Sequence, residues 1–270
     1  MTAMKKRGIP FDRFDERNMS FQLGEPTSHP LNGYGVVFER CIAQSRALVV
    51  TEILNMWGIP TVNSFEVIKR CGDKLSTTLA LATAGVAVPD TRIAVDPEQA
   101  LAVIEDMGYP VVLKPVVGSW GRLLARVNDR SAAEALLEHK SFLGSPVHSI
   151  FYMQAYVHKP GRDIRVSVVG DEVISAIYRY SDHWVTNTAR GGRAEFCPIS
   201  DAIEEICLKT SQVVGGGILA IDLLESPEGL LVNEVNPTME FRSSIEPTGV
   251  DVPGKMVEYV MQQAERRGSF

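Results

Sequence analysis

Between residues 218 and 236 the chain reads as two apolar strands joined by a tight turn, with acids standing inside them where an apolar pair should have none. The first strand is Ile218-Leu-Ala-Ile-Asp222-Leu-Leu-Glu225, the turn is Ser-Pro-Glu-Gly, and the second strand is Leu230-Leu-Val-Asn233-Glu234-Val-Asn236. Strand side chains alternate, so Glu234 and Asn236 share a face, and closing the hairpin sets Asp222 opposite Asn233 or Glu234. Buried carboxylates without a cation are expensive. Two carboxylates and an amide carbonyl suit Mg²⁺, a hard ion that takes oxygen ligands and is completed by phosphates and water. The competing reading, acids on a solvated sheet face, is common for one acid and less so for a set of three polar groups.

Phosphates beside such an ion need cations. Lys114 lies in Tyr-Pro-Val-Val-Leu-Lys-Pro, a run that gives a lysine no packing reason to be there, and Pro115 places it at a strand end. Lys74, in Cys-Gly-Asp-Lys, says less, because a lysine at a helix start is ordinarily solvated. The loop Gly118-Ser119-Trp120-Gly121-Arg122 offers backbone N–H groups and a positive charge. It matches neither a Walker A motif nor G-x-G-x-x-G. Arg190-Gly191-Gly192 is weak alone and useful beside a metal hairpin, since arginine grips a phosphoryl oxygen in forked geometry.

The periodicity predicts an α/β chain in three regions: an N-terminal part over 1–72, a central part over 73–150 and a C-terminal part over 151–270. Val36 to Phe38, a helix over 45–57 and a strand at 61–63 form a β-α-β unit, the parallel-sheet building block. Residues 1–10 read as the last turn of a helix, so an opening strand and half a helix are expected upstream of Met1. In the central part, Asp96 caps a helix with Pro97 at its first position, and Val111 to Val117 is expected as a strand. The C-terminal part opens with a strand over 150–157 and a hairpin about Gly170-Asp171. A polar loop through Gly192, a helix over 201–214, the acid-bearing hairpin, a loop over 236–244 and a closing helix over 255–267 follow.

The formal charge of −6 argues against a broad surface for nucleic acid or anionic membrane, which requires a cationic face. No stretch is long and apolar enough for a membrane span, and no apolar run follows the basic start, so a cytoplasmic protein is expected. Cys41, Cys71, Cys197 and Cys207 form no C-x-x-C pair and read as reduced thiols.

The order Lys74, Lys114, Gly-Ser-Trp-Gly-Arg, Gln154-Ala-Tyr-Val157, Gly161-Arg-Asp-Ile-Arg165, Asn187-Thr-Ala-Arg-Gly-Gly192, Asp222 and Asn233-Glu-Val-Asn236 resembles the ATP-grasp superfamily in its RimK-like branch. More narrowly, PVVLKPVVGSWGRLLA, KPGRDIRV, HWVTNTARGG and LLVNEVN look like the LysX-type ligases that attach α-aminoadipate to a small acidic amino-group carrier protein. The resemblance implies an ATP-grasp fold: an incomplete Rossmann-like N-terminal domain, then two α+β subdomains holding ATP between them. It implies that Lys74 and Lys114, with Gly118 and Ser119, contact the phosphates, and that Gln154, Ala155, Tyr156 and Val157 form the adenine hinge. Arg190 would bind the γ-phosphate and acyl phosphate, and Asp222, Glu234 and Asn236 would hold two Mg²⁺. Arg165 and Asn187 would face the acyl acceptor, and Phe241 and Arg242 the amino acid.

The family suggests a dimer or tetramer. The carrier's acidic surface calls for a local basic patch, with Arg40, Lys69, Arg70, Arg162 and Arg242 as candidates. Three other readings compete: a glutamate-specific or bifunctional carrier ligase, a RimK-like ligase adding glutamate to a protein C-terminus, and a non-catalytic nucleotide-binding scaffold.

Overall fold

In the computed structural model the described residues are 1–25, 29–118, 122–142, 149–186 and 192–268. They build three sheets that follow one another along the chain. The first is small: β1 (Val37–Phe38) runs parallel to β2 (Thr61–Val62), and α2 (Gln44–Met56) crosses between them, the predicted β-α-β unit. A short α1 (Thr2–Lys6) precedes it, and Leu31, Leu54 and Ile59 form its core. α3 (Phe65–Cys71), capped by the Ser64 hydroxyl, leads out of this region.

The second sheet has strand order β3 (Thr91–Ala94), β6 (Phe151–Ala155), β4 (Val111–Lys114), β5 (Ala125–Val127), all antiparallel. α5 (Pro97–Met107) starts as predicted, with the Asp96 carboxylate accepting from Glu98 N and Gln99 N. With α6 (Arg130–Phe142) it covers one face, burying Ala100, Ile104, Ala133 and Leu137 against Val111, Leu113 and Phe151. α4 (Lys74–Thr83) runs ahead of this sheet but packs on α7 (Asp201–Val214) and β11 (Gly229–Asn236) of the third region. β4 is shorter than the expected 111–117: Pro115 has no N–H for the ladder and ends it at Lys114.

The third sheet has the order β11 (Gly229–Asn236), β10 (Ile218–Ser226), β7 (Arg162–Val169), β8 (Glu172–Tyr180), β9 (Arg193–Phe196), antiparallel throughout. Ile164, Val166, Leu219, Ile221 and Leu223 point to one face, where α7 (Asp201–Val214) buries Ile203, Cys207 and Val214 on them. The opposite face is apolar only at one end. Ile218 and Ala220 pack under α9 (Val252–Gly268) with Val252, Met256 and Val260, and two residues further along β10 that face turns polar at Asp222.

Asn63, at the end of β2, ties the small sheet to this hairpin. Its amide donates to Ile218 O and Pro237 O and accepts from Ile218 N at 2.7 Å. Gly217 has φ +102°, and a Cβ there would stand 2.1 Å from Asn63 Oδ1, so the position needs glycine twice over. Two elements escaped the sequence reading. α8 (Arg242–Thr248) occupies part of the expected 236–244 loop and carries Pro247, and β9 is a four-residue polar edge strand without an apolar pattern. No helix among the described residues is long and apolar enough to cross a membrane.

Candidate functional site

β4 ends at Lys114, and the side chain there is 7% exposed. Its Nζ reaches across to the third sheet and donates to Asn233 Oδ1 at 2.8 Å. Burial pushes this ammonium down to about 8; Glu234 opposes the shift, while Lys74 and Lys159 reinforce it. Lys74 opens α4, where Asp73 caps the helix through Ser76 N and Lys74 N donates to Val116 O. Far from being solvated, Lys74 Nζ donates to Gly118 O at 2.6 Å and pairs with Glu234 Oε1 at 3.1 Å. Two lysines from separate elements thus meet consecutive residues of β11.

That convergence depends on a local irregularity in the hairpin. Asp222 pairs with Glu234, but Leu223 pairs with Val232, so Asn233 is an extra residue on β11. Strict alternation would send Asn233 and Glu234 to opposite faces; the bulge relaxes this and lets both meet the lysines. The Val232 N–H, at the same point, donates to Ala87 O at 2.8 Å and pins the strand to the segment leading into the second sheet.

Asp222 is 4% exposed. Burial by itself would raise its pKa, but Arg165 and Arg179 overcome that and hold the carboxyl below the usual range. Arg165, its partner on β7, forms a forked pair at 2.8 and 2.9 Å, and Arg179 Nη2 reaches Asp222 Oδ2 at 3.1 Å. Arg179 also forks onto Asp163 at 2.7 Å through each nitrogen, and Asp163 Oδ2 accepts from the Thr186 hydroxyl. Lys159 Nζ closes the chain on Thr186 Oγ1 at 2.6 Å, and burial lowers its pKa. Five cations therefore line this wall with Asp163, Asp222 and Glu234, an excess of positive charge suited to a polyanion.

Asp163, Arg179, Lys159 and the Asn233 contact were not singled out from the sequence. The signal was present for Arg179, which sits in Ile-Tyr-Arg-Tyr on an apolar strand just as Lys114 sits in Val-Val-Leu-Lys. Asp163 and Arg165 show the same alternation in Gly-Arg-Asp-Ile-Arg.

The expected hinge begins inside β6, which holds Gln154 and Ala155, and runs past its end. Gln154 is buried and registers with Thr91 and Val112. The Ala155 N–H donates to Asp90 O and the Tyr156 N–H to Pro110 O, so both are used by the sheet. Within the hinge, Val157 is left with the backbone donor that a planar base could take. Tyr156 stacks under Arg126 at 5.2 Å and edge-on to His158 at 5.0 Å. Ser119, Asn187 and Arg190 lie outside the described residues.

Phe241 caps α8 and Arg242 begins it; the Phe241 ring packs in the cluster that holds Phe38 of the small sheet, while α8 itself lies on β8 and β9. The guanidinium of Arg40 lies 5.7 Å from both the Phe241 and Phe38 rings and donates to Met239 O at 2.8 Å. Of the other basic-patch candidates, Arg162 is forked onto Glu225 and Arg70 donates to Val213 O.

The hairpin donors fit a hard cation. Asp222 keeps lone pairs beyond its arginine bonds, Glu234 Oε2 has no partner among the described residues, and Asn236 is half-buried with its Nδ2 buried and unpartnered. Among the described residues no cluster of three or more His, Cys, Asp or Glu forms a metal cage. Two carboxylates and an amide are instead the sparse set that Mg²⁺ uses when phosphates complete its shell.

The family model of the RimK-like ATP-grasp domain matches residues 71–260, and that of the LysX preATP-grasp domain matches residues 1–70. The chain belongs to the RimK-like ATP-grasp family. It is an ATP-dependent ligase of the carboxylate–amine class. An α-aminoadipate–LysW ligase LysX of Saccharolobus solfataricus is 35% identical over 229 residues, 84% of this chain and 83% of the relative. A glutamate–LysW ligase ArgX of Sulfurisphaera tokodaii is 34% identical over 240 residues, 88% of this chain and 85% of the relative. The RimK domain protein of Sphaerobacter thermophilus superposes with a TM-score of 0.80 at 24% identity, over 96% of this chain and 93% of that one, which shows the shared fold.

Proposed function

We propose that this protein couples the α-amino group of α-aminoadipate to the C-terminal glutamate of a small acidic amino-group carrier protein, forming ADP and phosphate. What supports the reading most is the match of residues 1–70 to the LysX preATP-grasp domain, beside the 35% identity to a LysX protein over most of the chain. Glutamate is the second candidate amino acid, favoured by the nearly equal identity to an ArgX protein. The three working parts are 1–72, 73–150 and 151–270, and the setting is the cytoplasm.

ATP lies between the second and third sheets in this reading, its base at the Val157 N–H and its phosphates against Lys74, Lys114 and Arg190. The carrier's side-chain carboxylate attacks the γ-phosphorus, ADP departs, and an acyl phosphate forms. The α-amine then attacks the acyl carbon and phosphate leaves, giving the amide. Asp222, Glu234 and Asn236 would hold two Mg²⁺ ions, which supply charge neutralisation on the phosphates. The protein's own contribution is placement and a fixed positive field: Lys114 and Lys74 are held by Asn233 and Glu234 before any ligand arrives, so little reorganisation remains for the reaction.

ADP release from purified protein with ATP, Mg²⁺, carrier and each amino acid tests this. Turnover should require the carrier and the amino acid, with α-aminoadipate preferred to glutamate by about tenfold or more, the scale of one methylene in a pocket. Asp222→Ala and Glu234→Gln should each cut turnover by about a hundredfold or more, equivalent to a few kcal/mol of transition-state stabilisation. Undiminished turnover in both variants, or ADP release indifferent to the carrier, would overturn the reading.

A further inference from the structure

β9 closes the third sheet on one side, and among the described residues no strand pairs with its outer edge. The Cys197 N–H donates to Ala176 O at 3.1 Å, continuing the register in which Glu195 pairs with Tyr178 and Arg193 with Tyr180. Backbone groups alternate sides along a strand, so Arg193, Glu195 and Cys197 turn their N–H and C=O toward β8, while Ala194 and Phe196 turn theirs outward. Pro198, which has no N–H, ends this outward row. An open edge of this kind is a template for another strand unless its side chains guard it.

The guard is Arg193-Ala194-Glu195, one charge of each sign on one face of the strand. Arg193 Nη2 pairs with Glu195 Oε1 at 3.1 Å, and the two side chains remain 71% and 44% exposed. Such a segment is its own complement when reversed. With a second copy laid antiparallel and Ala194 opposite its own counterpart, Arg193 faces the copy's glutamate and Glu195 faces the copy's arginine. A two-fold axis normal to the sheet does this and keeps all four side chains on one face. The same register puts Ala194 in the hydrogen-bonded position, where it exchanges both bonds with its counterpart. The charged pairs take the other position, where opposed side chains stand closer. Phe196, 58% exposed, then lies opposite the copy's Gly192, which has no side chain of its own to displace. Other centres are worse: about Glu195 the two glutamates oppose each other, and about Phe196 the ladder runs into Pro198.

We propose that the outer edge of β9 is a symmetric interface at which two copies of this chain join their third sheets into one continuous sheet, centred on Ala194. The alternating charges repel an arbitrary strand and admit the same strand from a second copy. The ladder is short, so the dimer forms and dissociates with protein concentration. This interface stands apart from the ligase reading and survives its failure.

Sedimentation equilibrium over a series of protein concentrations tests it. Wild type should pass from 29.7 kDa toward twice that mass as concentration rises. Ala194→Pro removes an N–H that β8 does not use, so the chain should keep its circular dichroism and stay at the single-chain mass throughout. Arg193→Glu and Glu195→Arg each set like charges against one another at both cross-strand pairs, and each should raise the dissociation constant roughly tenfold or more. Mixed in equal amounts, the two reversed chains again place opposite charges across the axis, and the mixture should dimerise where neither does alone. That recovery needs no proline variant to fold. A wild type at single-chain mass at every concentration, a folded Ala194→Pro that still dimerises, or no recovery on mixing would overturn the proposal.

Discussion

Lys114 carries its charge at a cost, because the four-stranded sheet and β11 together strip it of water and bring its pKa to about 8. In the free enzyme that charge disappears as pH rises through about 8, so kcat/KM for ATP should fall on the alkaline side. Lys114→Arg should flatten the limb, since a guanidinium does not titrate there. Stability should move the other way. An unfolded lysine titrates near 10.4, so between about 8 and 10.4 the unfolded chain binds more protons than the native one and stability rises with pH. Urea midpoints across that window, compared with Lys114→Met, check the sign. Lys114 was legible from its own surroundings, because a lysine in Val-Val-Leu-Lys-Pro has no apolar excuse; Lys74 came only through the family resemblance, because a helix-start lysine looks the same whether it faces water or Glu234.

At the scale of elements, those with strong periodicity or clear punctuation stood out. α5 follows from Asp96-Pro97, and α7 from its apolar stripe and the Ser200 cap. β4 was drawn too long because apolar residues continue past the proline that ends the ladder. α8 was hidden by Pro247, and β9 by its polar composition, since as an edge strand it needs only one neighbour. The pairing of Asp222 with Glu234 was within reach of alternation, but the bulge that places Asn233 was not, because an extra residue leaves no mark in the pattern. Asn63 tests how far elements depend on single bridges. Asn63→Ala removes three bonds and strands the buried Ile218 N–H and C=O and the half-buried Pro237 C=O, which should cost about 3 kcal/mol in urea denaturation.

Over the whole molecule, the second and third sheets belong to separate cores joined, among the described residues, by a short list of bonds: Lys114 to Asn233 directly, and, through α4 and the segment at Ala87, Tyr152 to Thr78, Lys74 to Glu234 and Ala87 to Val232. A ligand gripped from both sides adds to that short list and favours the assembled state by mass action, about 2.7 kcal/mol at a hundred times Kd. Thermal melting with saturating ATP and Mg²⁺ should therefore shift upward, and the shift should shrink sharply in Lys114→Met. The three-region α/β layout could be inferred from the order of elements. How the regions dock could not, because the bonds that dock them are made by isolated polar side chains far apart in the chain.

The additional residue on β11 divides the hairpin into two ends with different freedom. Toward Asn236 the spacing works as a vernier, and losing or gaining one position between Val232 and Asn236 would rotate the acids away from both lysines while leaving the ladder paired. Toward the Ser226–Gly229 corner nothing is being aligned, so that is where length changes and peptide grafts should be absorbed without harm to coupling.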